Sequence, residues 1–354
     1  MSLDVVETQA EAPDGRALLV LEPLRAFFDE HGLGRGDFQV ARIGEGSSNV
    51  TFLIERSDAC FVLRRPPRPP LPPSTHDVVR EARLQLALEP LGLRVPHIVA
   101  VCEDAALIGG PFYVMDFIEG DVLTNTLPAW IGDDPLACRG LVEEVVDALV
   151  EIHAVDSTEP AVAPFVRPGS YLERQVRRFG QLWELNATRE IPAVVEVGAW
   201  LAERMPEAIA PTVVHGDYRL GNVIFARGRP PRLAAVLDWE MGAVGDPRAD
   251  VGYLLATYTD EASARLPLEL TPVTGGKGFP SRQEVLELYC ARSGRDVDDV
   301  DWFEALALWK GAVFCEAIHS RYLRGELDHD AFAATLGEGV PALAAAALAA
   351  AGRS

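Results

Sequence analysis

Val213-Val-His-Gly-Asp-Tyr-Arg-Leu-Gly-Asn-Val-Ile-Phe225, followed after a turn at Gly228 to Pro231 by Ala235-Val-Leu-Asp-Trp-Glu240 and Gly245-Asp-Pro-Arg-Ala-Asp250, is the stretch from which the fold can be read. Asp217 follows His215-Gly216, Asn222 comes five positions later, and Asp238 closes a second apolar run. Phosphoryl transfer needs this set: one Asp to accept a hydroxyl proton, an Asn at this spacing for a magnesium ion, and a second Asp after a strand to bridge metal and phosphates. Taken singly, Asp217 also reads as a turn residue, Asn222 as a cap and Asp238 as a strand-end polar group. The three together, in this order, between Val-Val, Val-Ile-Phe and Ala-Ala-Val-Leu runs that read as short buried strands, form a far more specific pattern.

His-Gly-Asp-x-x-x-x-Asn with Leu-Asp-Trp-Glu and Gly-Asp-Pro-x-x-Asp resembles the aminoglycoside phosphotransferase and choline kinase branch of the protein-kinase-like fold. Within it, Phe61-Val-Leu-Arg-Arg-Pro-Pro67, Tyr171-Leu-Glu-Arg-Gln-Val176 and Gly278-Phe-Pro-Ser-Arg282 are similar to the phosphotransferase-like domain fused to some acyl-CoA dehydrogenases and also found alone in bacteria. The resemblance spans about residues 20–325. It implies an α+β, bilobal fold: a tail over 1–15, a nucleotide-binding lobe with a small antiparallel sheet over 16–117, and a larger, mostly helical catalytic and substrate-binding lobe over 118–354.

A length of 354 residues suits one or two cores, and 48% hydrophobic with 24% charged residues is an ordinary globular composition. The formal charge of −21 repels nucleic acid and anionic membranes. It favours neutral or cationic partners and equally serves solubility. Cys60, Cys102, Cys138, Cys290 and Cys315 are odd in number and scattered, without metal-ligand spacing, and read as reduced, buried residues. The acidic first residues are no secretory signal, and no apolar run approaches a membrane span. The expectation is a soluble, cytoplasmic protein with no membrane or nucleic-acid partner.

Along the chain, Ala17–Glu30 has the apolar spacing of a helix, ended by His31-Gly32. Five β-like runs follow, Phe38–Ile43, Val50–Glu55, Cys60–Arg64, Ile98–Glu103 and Pro111–Phe117, with one helix over Asp77–Leu91 opened by Ser74-x-x-Asp77. Ile43-Gly-Glu-Gly-Ser-Ser-Asn-Val50 joins the first two runs. Its glycines let backbone approach a phosphate, which makes Gly44, Gly46 and Ser47 phosphate-loop candidates, although such a hairpin is also an ordinary turn. The kinase template puts a Lys on the third strand; here Arg64 stands there and, as in relatives with Val-Leu-Arg, takes that role, with Glu81 as its partner or as a solvated helical position. Arg65-Pro-Pro-Arg-Pro-Pro-Leu-Pro-Pro73 reads as a stiff connector. Pro111–Gly120 reads as an edge strand, and the resemblance makes it the link where backbone of Met115 to Phe117 takes an adenine edge; Met115 as plain core is the competing reading.

From Asp121 the pattern turns helical, over Leu141–His153, Tyr171–Leu182, Val194–Ala208 and Trp302–Leu323, with a closing Ala-rich helix after Pro341. His153 reads as a satisfied core residue, and Arg174, Arg177 and Arg178 as a solvated face or a dock for an anionic group. Asp246 and Asp250 read as braces for the catalytic loop, and 266–282 as a long loop. The resemblance then implies ATP and Mg2+, with phosphates on the Gly44–Ser47 loop and Arg64, the metal on Asn222 and Asp238, and Asp217 as base. His215 would fix the loop and Arg219 would shield the transferring charge or touch substrate. The substrate is a small-molecule hydroxyl: a hydroxyacyl compound or its CoA thioester by the closer resemblance, an aminoglycoside or choline-type cation by the broader one. A nucleotide-binding pseudokinase scaffold is the reading from another class, motivated by the missing Lys. A protein kinase is disfavoured because Asp238 runs almost directly into Gly242 and Asp246, without room for a peptide-docking loop.

Overall fold

The structure, a computed structural model, describes residues 4–8, 11, 17–44, 49–68, 76–132, 134–260, 266–326 and 330–352. The chain divides into two compact units, Met1–Glu119 and Gly120–Ser354.

In the first unit the elements are β1 (Val5–Val6), β2 (Leu19–Val20), α1 (Leu21–Glu30), β3 (Phe38–Ile43), β4 (Val50–Arg56), β5 (Cys60–Arg65), α2 (Val78–Leu88), β6 (Ile98–Cys102) and β7 (Phe112–Asp116). Strands β3 to β7 form an antiparallel sheet in the order β3-β4-β5-β7-β6. Alternation along β4 puts Phe52 and Ile54 into a core with Phe28, Phe61, Leu63 and Val114, while Val62, Tyr113 and Met115 face the other way, into a cluster with Val78 and Ala82 of α2. Asp77 caps α2 by accepting from the Arg80 amide at 3.0 Å; the Ser74 part of the expected cap, and most of the proline-rich run, lie outside the described residues.

Two expectations for this unit are corrected. The segment containing β7 is not an edge: it lies between β5 and β6, and the edges are β3 and β6. Four successive buried residues, Phe112 to Met115, suit a strand covered on both faces. The helix at 17–30 starts only at Leu21, because Leu19 and Val20 pair in parallel with Val5 and Val6, inside the expected tail, and the Asp4 carbonyl accepts from the amides of Leu18 and Leu19.

The second unit runs α3 (Pro135–His153), α4 (Tyr171–Asn186), α5 (Pro192–Glu203), β8 (Thr212–Val214), β9 (Val223–Ala226), β10 (Arg232–Val236), β11 (Ala243–Gly245), α6 (Arg248–Thr257), α7 (Arg282–Ser293), α8 (Val300–Leu323) and α9 (Ala331–Ala351). Strand β8 pairs with β11, and β9 with β10, so two short ribbons carry the signature stretch. The core gathers Phe179 of α4, Val197 and Leu201 of α5, Trp302 to Val313 of α8, and Leu336 to Ala347 of α9. Gly252 sets how closely α6 meets α8: a Cβ there would lie 2.5 Å from the Phe303 carbonyl carbon. The 266–282 segment is tied down rather than irregular, with Thr271 Oγ1 donating to the Thr257 carbonyl at 2.7 Å and Thr274 Oγ1 to that of Thr259 at 2.8 Å.

Helix α9 departs from expectation twice. It begins at Ala331, capped by Asp330, and runs through Pro341 instead of starting after it. With a mean hydropathy of 1.5 over its apolar window it is also long and apolar enough to cross a membrane, contrary to the reading of the bare sequence. In the fold one face of it, through Leu336, Val340, Leu343 and Ala347, is fully buried against α5 and α8.

Candidate active site

The site residues fall into one group in each unit. In the first, Arg64 Nε donates to Glu81 Oε2 at 3.2 Å, with the Glu81 side chain only 1% exposed. A buried carboxylate needs more than one partner. Tyr113 donates its hydroxyl to Glu81 Oε1 at 3.1 Å, Gln85 donates to that hydroxyl at 3.3 Å, and Asn49 Nδ2 lies 3.5 Å from Glu81 Oε2. Burial, then the Glu81 charge, raises the Tyr113 phenol well above its usual range, so it stays a donor. Gln85 lies one helical turn beyond Glu81 on α2, whereas Tyr113 carries no spacing signal and is brought in by the register of β5 on β7, which sets Arg64 opposite it.

Gly44, just past β3, holds φ +76°, a left-handed turn that glycine permits. The other phosphate-loop candidates, Gly46 and Ser47, lie outside the described residues. The Met115 side chain is core, packed with Val62, Ala82 and Tyr113, and its backbone sits in the sheet between Val62 and Ile98. Phe117 is 41% exposed beyond the strand end, and its amide already donates to the Cys60 carbonyl at 3.3 Å. The donor expected from Phe117 is therefore committed to protein.

In the second unit everything turns on the loop between β8 and β9. Asp250, in the first turn of α6, sends its carboxylate back to that loop: Oδ2 accepts from the His215 amide at 2.6 Å and Oδ1 from the Gly216 amide at 2.8 Å. His153 of α3 completes it, with Nε2 at 3.2 Å from Asp250 Oδ2 and Nδ1 at 2.8 Å from the Tyr289 hydroxyl. Burial opposes the charge on Asp250, but the His153 hydrogen bond and charge and then His215 outweigh it and hold the carboxyl below its ordinary range. Asp246 braces differently, locked to Arg248 at 2.8 Å. Gly216 takes φ +84°, and a Cβ there would stand 2.8 Å from the Met241 carbonyl oxygen, so the loop closes only around glycine.

His215 is fully buried. The Asp217 amide donates to its Nδ1 at 3.2 Å, so Nε2 carries the proton and donates to the Leu237 carbonyl at 2.8 Å. One ring thus ties the Asp217 loop to the end of β10. Asn222 Nδ2 donates both to the Asp217 carbonyl and to Asp217 Oδ2, each at 2.8 Å, which leaves its Oδ1 for a ligand. Asp217 Oδ1 is buried with no hydrogen-bond partner among the described residues, and Arg219 Nε, similarly unbonded, lies 3.7 Å from it. Buried polar atoms are nearly always satisfied, so this pair marks where a ligand belongs. Arg219 folds over Gly221, where any side chain would collide with its guanidinium.

Asp238 follows β10 in the left-handed region, at φ 65° and ψ 57°. That conformation costs an Asp of order 1 kcal/mol or more and is kept where the position of the carboxylate matters. Among the described residues no three His, Cys, Asp or Glu side chains gather to hold a metal by themselves. Asn222 and Asp238 offer two hard oxygen donors, which fits magnesium, an ion that keeps waters and shares phosphate oxygens.

The phosphotransferase enzyme family model matches residues 39–282. Mouse (Mus musculus) acyl-CoA dehydrogenase family member 10 is 31% identical over 299 residues, covering 82% of this chain but 27% of that protein, so the chain spans about a quarter of that relative's length. The crystal structure of a Ralstonia eutropha JMP134 protein assigned as an aminoglycoside phosphotransferase superposes with a TM-score of 0.78 at 28% identity, covering 95% of this chain and 99% of that one. An aminoglycoside phosphotransferase in ternary complex with ADP and hygromycin B shares the fold, with a TM-score of 0.58 at 14% identity over 91% of this chain and 97% of that one. With its antiparallel sheet, its helical unit and the braced His-Gly-Asp loop, the chain belongs to the phosphotransferase enzyme family and has the protein-kinase-like fold.

Proposed function

We propose that the chain is an ATP- and magnesium-dependent kinase that phosphorylates a hydroxyl of a small molecule, with a hydroxyacyl compound or its CoA thioester as the acceptor class. The observation that carries this reading is the half-satisfied carboxylate of Asp217. One oxygen is fixed by Asn222, and the other is buried, without a hydrogen-bond partner within 3.5 Å among the described residues, and faced by Arg219.

Asp217 Oδ1 accepts the hydroxyl proton of the acceptor as its oxygen bonds to the terminal phosphorus and the bond from that phosphorus to the bridging oxygen breaks, so that ADP leaves with its charge. Arg219 sits beside the carboxylate to offset negative charge gathering there. His215 and Asp250 hold the loop so that no reorganisation is needed when the proton moves. Asn222 and Asp238 would hold the magnesium, which supplies neutralisation of the phosphate oxygens. Arg64, oriented by Glu81, supplies a fixed cation for phosphate. The acyl acceptor class rests on the likeness to the acyl-CoA dehydrogenase relatives, and nucleotide use on the ADP complex of a fold neighbour. Five free cysteines suit the reducing cytoplasm.

The test is a coupled ADP-release assay with Mg-ATP against aminoglycosides, choline and ethanolamine, sugars, and hydroxy acids with their CoA thioesters, using Asp217→Asn as blank. Acceptor-stimulated release that the variant lacks is the expected result. Silence across the panel with nucleotide binding intact would defeat the proposal in favour of a binding scaffold.

A further inference from the structure

Helix α8 is buried on nearly all sides, yet carries Lys310, only 8% exposed. Its Nζ lies 4.9 Å from the centre of the Phe179 ring, and no hydrogen bond or salt bridge of Lys310 occurs among the described residues. Burying an ammonium without a bonded partner is costly, and burial lowers its pKa to about 8 despite the opposing charges of Asp250 and Asp217. Arg178 of α4, exposed and near enough to add to that lowering, makes the surroundings more positive still. In a chain of net charge −21, this places a buried cation between the Asp250 and Asp217 carboxylates and a second cation, beside the loop that carries Asp217.

Lys310 lines a small cavity with Tyr171, Gly216, Asp250, Tyr253 and Leu306. The cavity has room for about one water molecule, the volume of a single polar ligand atom. Gly216 adjoins Asp217, and the Tyr253 phenol, raised by burial and then by the Asp217 charge, stays protonated beside it. Tyr171 is likewise kept protonated, by burial first and then by Asp250 and Asp246. Lys310 and two tyrosines, each a side chain able to donate, therefore line one small cavity, with the Tyr253 hydroxyl already engaging the carboxylate of Asp217.

We propose that Lys310, with Tyr253 and Tyr171, forms the acceptor-specificity pocket, donating hydrogen bonds to a carbonyl or carboxyl oxygen of the acceptor while Asp217 engages its hydroxyl. The inference rests on the phosphotransfer reading of Asp217 and deepens it. A cationic acceptor, of the aminoglycoside or choline kind, would meet an ammonium here and be disfavoured. A carbonyl-bearing acceptor would satisfy a lysine that has no bonded partner among the described residues.

The experiment compares acceptors with the same hydroxyl and chain but with or without the carbonyl: 3- and 4-hydroxybutanoate and their methyl esters against 1,3- and 1,4-butanediol. Wild type should favour the acid or ester in kcat/KM by roughly 10- to 100-fold, the range of one charge-assisted hydrogen bond. In Lys310→Met that preference should collapse to within about twofold, chiefly through KM, and Lys310→Arg should restore part of it. Equal use of both acceptors by wild type, or a preference that survives Lys310→Met, overturns the inference while leaving phosphotransfer standing. Should Lys310→Met fail to fold, Tyr253→Phe carries the test, with a loss of roughly fivefold expected for one neutral hydrogen bond and an unchanged preference overturning the pocket. Should wild type phosphorylate nothing, calorimetric titration with butanoate and methyl butanoate decides separately. Lys310-dependent binding sustains the pocket as the phosphotransfer reading falls, and absence of binding overturns the pocket too.

Discussion

Two polar clusters of this chain, around Glu81 and around Asp217, are built on opposite plans. Around Glu81, in the sheet unit, Arg64, Tyr113 and Asn49 meet both carboxylate oxygens. Around Asp217, in the helical unit, one oxygen is held by Asn222 and the other waits, buried, beside an Arg219 nitrogen that is also unbonded. A satisfied cluster fixes a shape, whereas an unsatisfied one stores an interaction for something that arrives later. Asp250 shows that this is not a difference between units, because within the helical unit it is as fully engaged as Glu81. Saturated carboxylates brace, and the open one is the group to which the proposed function assigns the reaction.

Breaking a brace should therefore cost folding, and breaking the open group should cost rate. The largest effect is expected for Asp250→Ala, which strips two buried loop amides and His153 of their acceptor. A loss of roughly 3–5 kcal/mol in urea unfolding is expected. Because the folded pKa of Asp250 is depressed, its contribution is fully present above the ordinary carboxylate pKa and is lost as pH falls through the folded value. Wild-type stability should accordingly fall more steeply with acid than that of Asp250→Asn; parallel acid curves would remove Asp250 from the role of brace.

Next is Asp217→Asn, with at least about a hundredfold lower kcat and an unfolding midpoint close to wild type. If stability dropped as it does in Asp250→Ala, the contrast between open and saturated carboxylates would be wrong. Glu81→Gln should be milder: Arg64 loses its charge partner but keeps a hydrogen-bonding one, and nucleotide KM should rise by about tenfold with a stability loss of roughly 1–3 kcal/mol. The smallest effect belongs to Arg83→Ala. Its pairing with Glu103 is about 60% exposed on both sides, so unfolding should shift by no more than about 1 kcal/mol. A shift as large as that of Glu81→Gln would mean that exposure does not separate these two ion pairs.

Much of this was legible in the sequence where one residue type at one spacing carries the meaning. Phe38–Ile43 alternates and is a strand over those residues; Asp217 and Asn222, five apart, do meet; Arg64 does find Glu81. What stayed hidden depends on partners far along the chain. That β7 is an interior strand follows from which strands pair with it, and strand pairing is not local. Val5 and Val6 form a strand only because Leu19 and Val20 are extended beside them. Asp250 could be read as a brace, but its hold on His215 and Gly216 needs the path of α6. Nothing in the spacing of α8 sets Lys310 apart from its other charged residues, and only the packing of the helix brings it near Asp217.

The imidazole of His215 has a practical use beyond its place in the loop. Its Nε2 proton is enclosed, donated to the Leu237 carbonyl, and part of a ring that joins the Asp217 loop to the strand preceding Asp238. Such a proton exchanges with solvent only when the loop opens. Nitrogen-15 labelling of the histidines would thus turn this ring into a built-in spectroscopic reporter, whose signal registers disturbance of the catalytic segment without any attached probe.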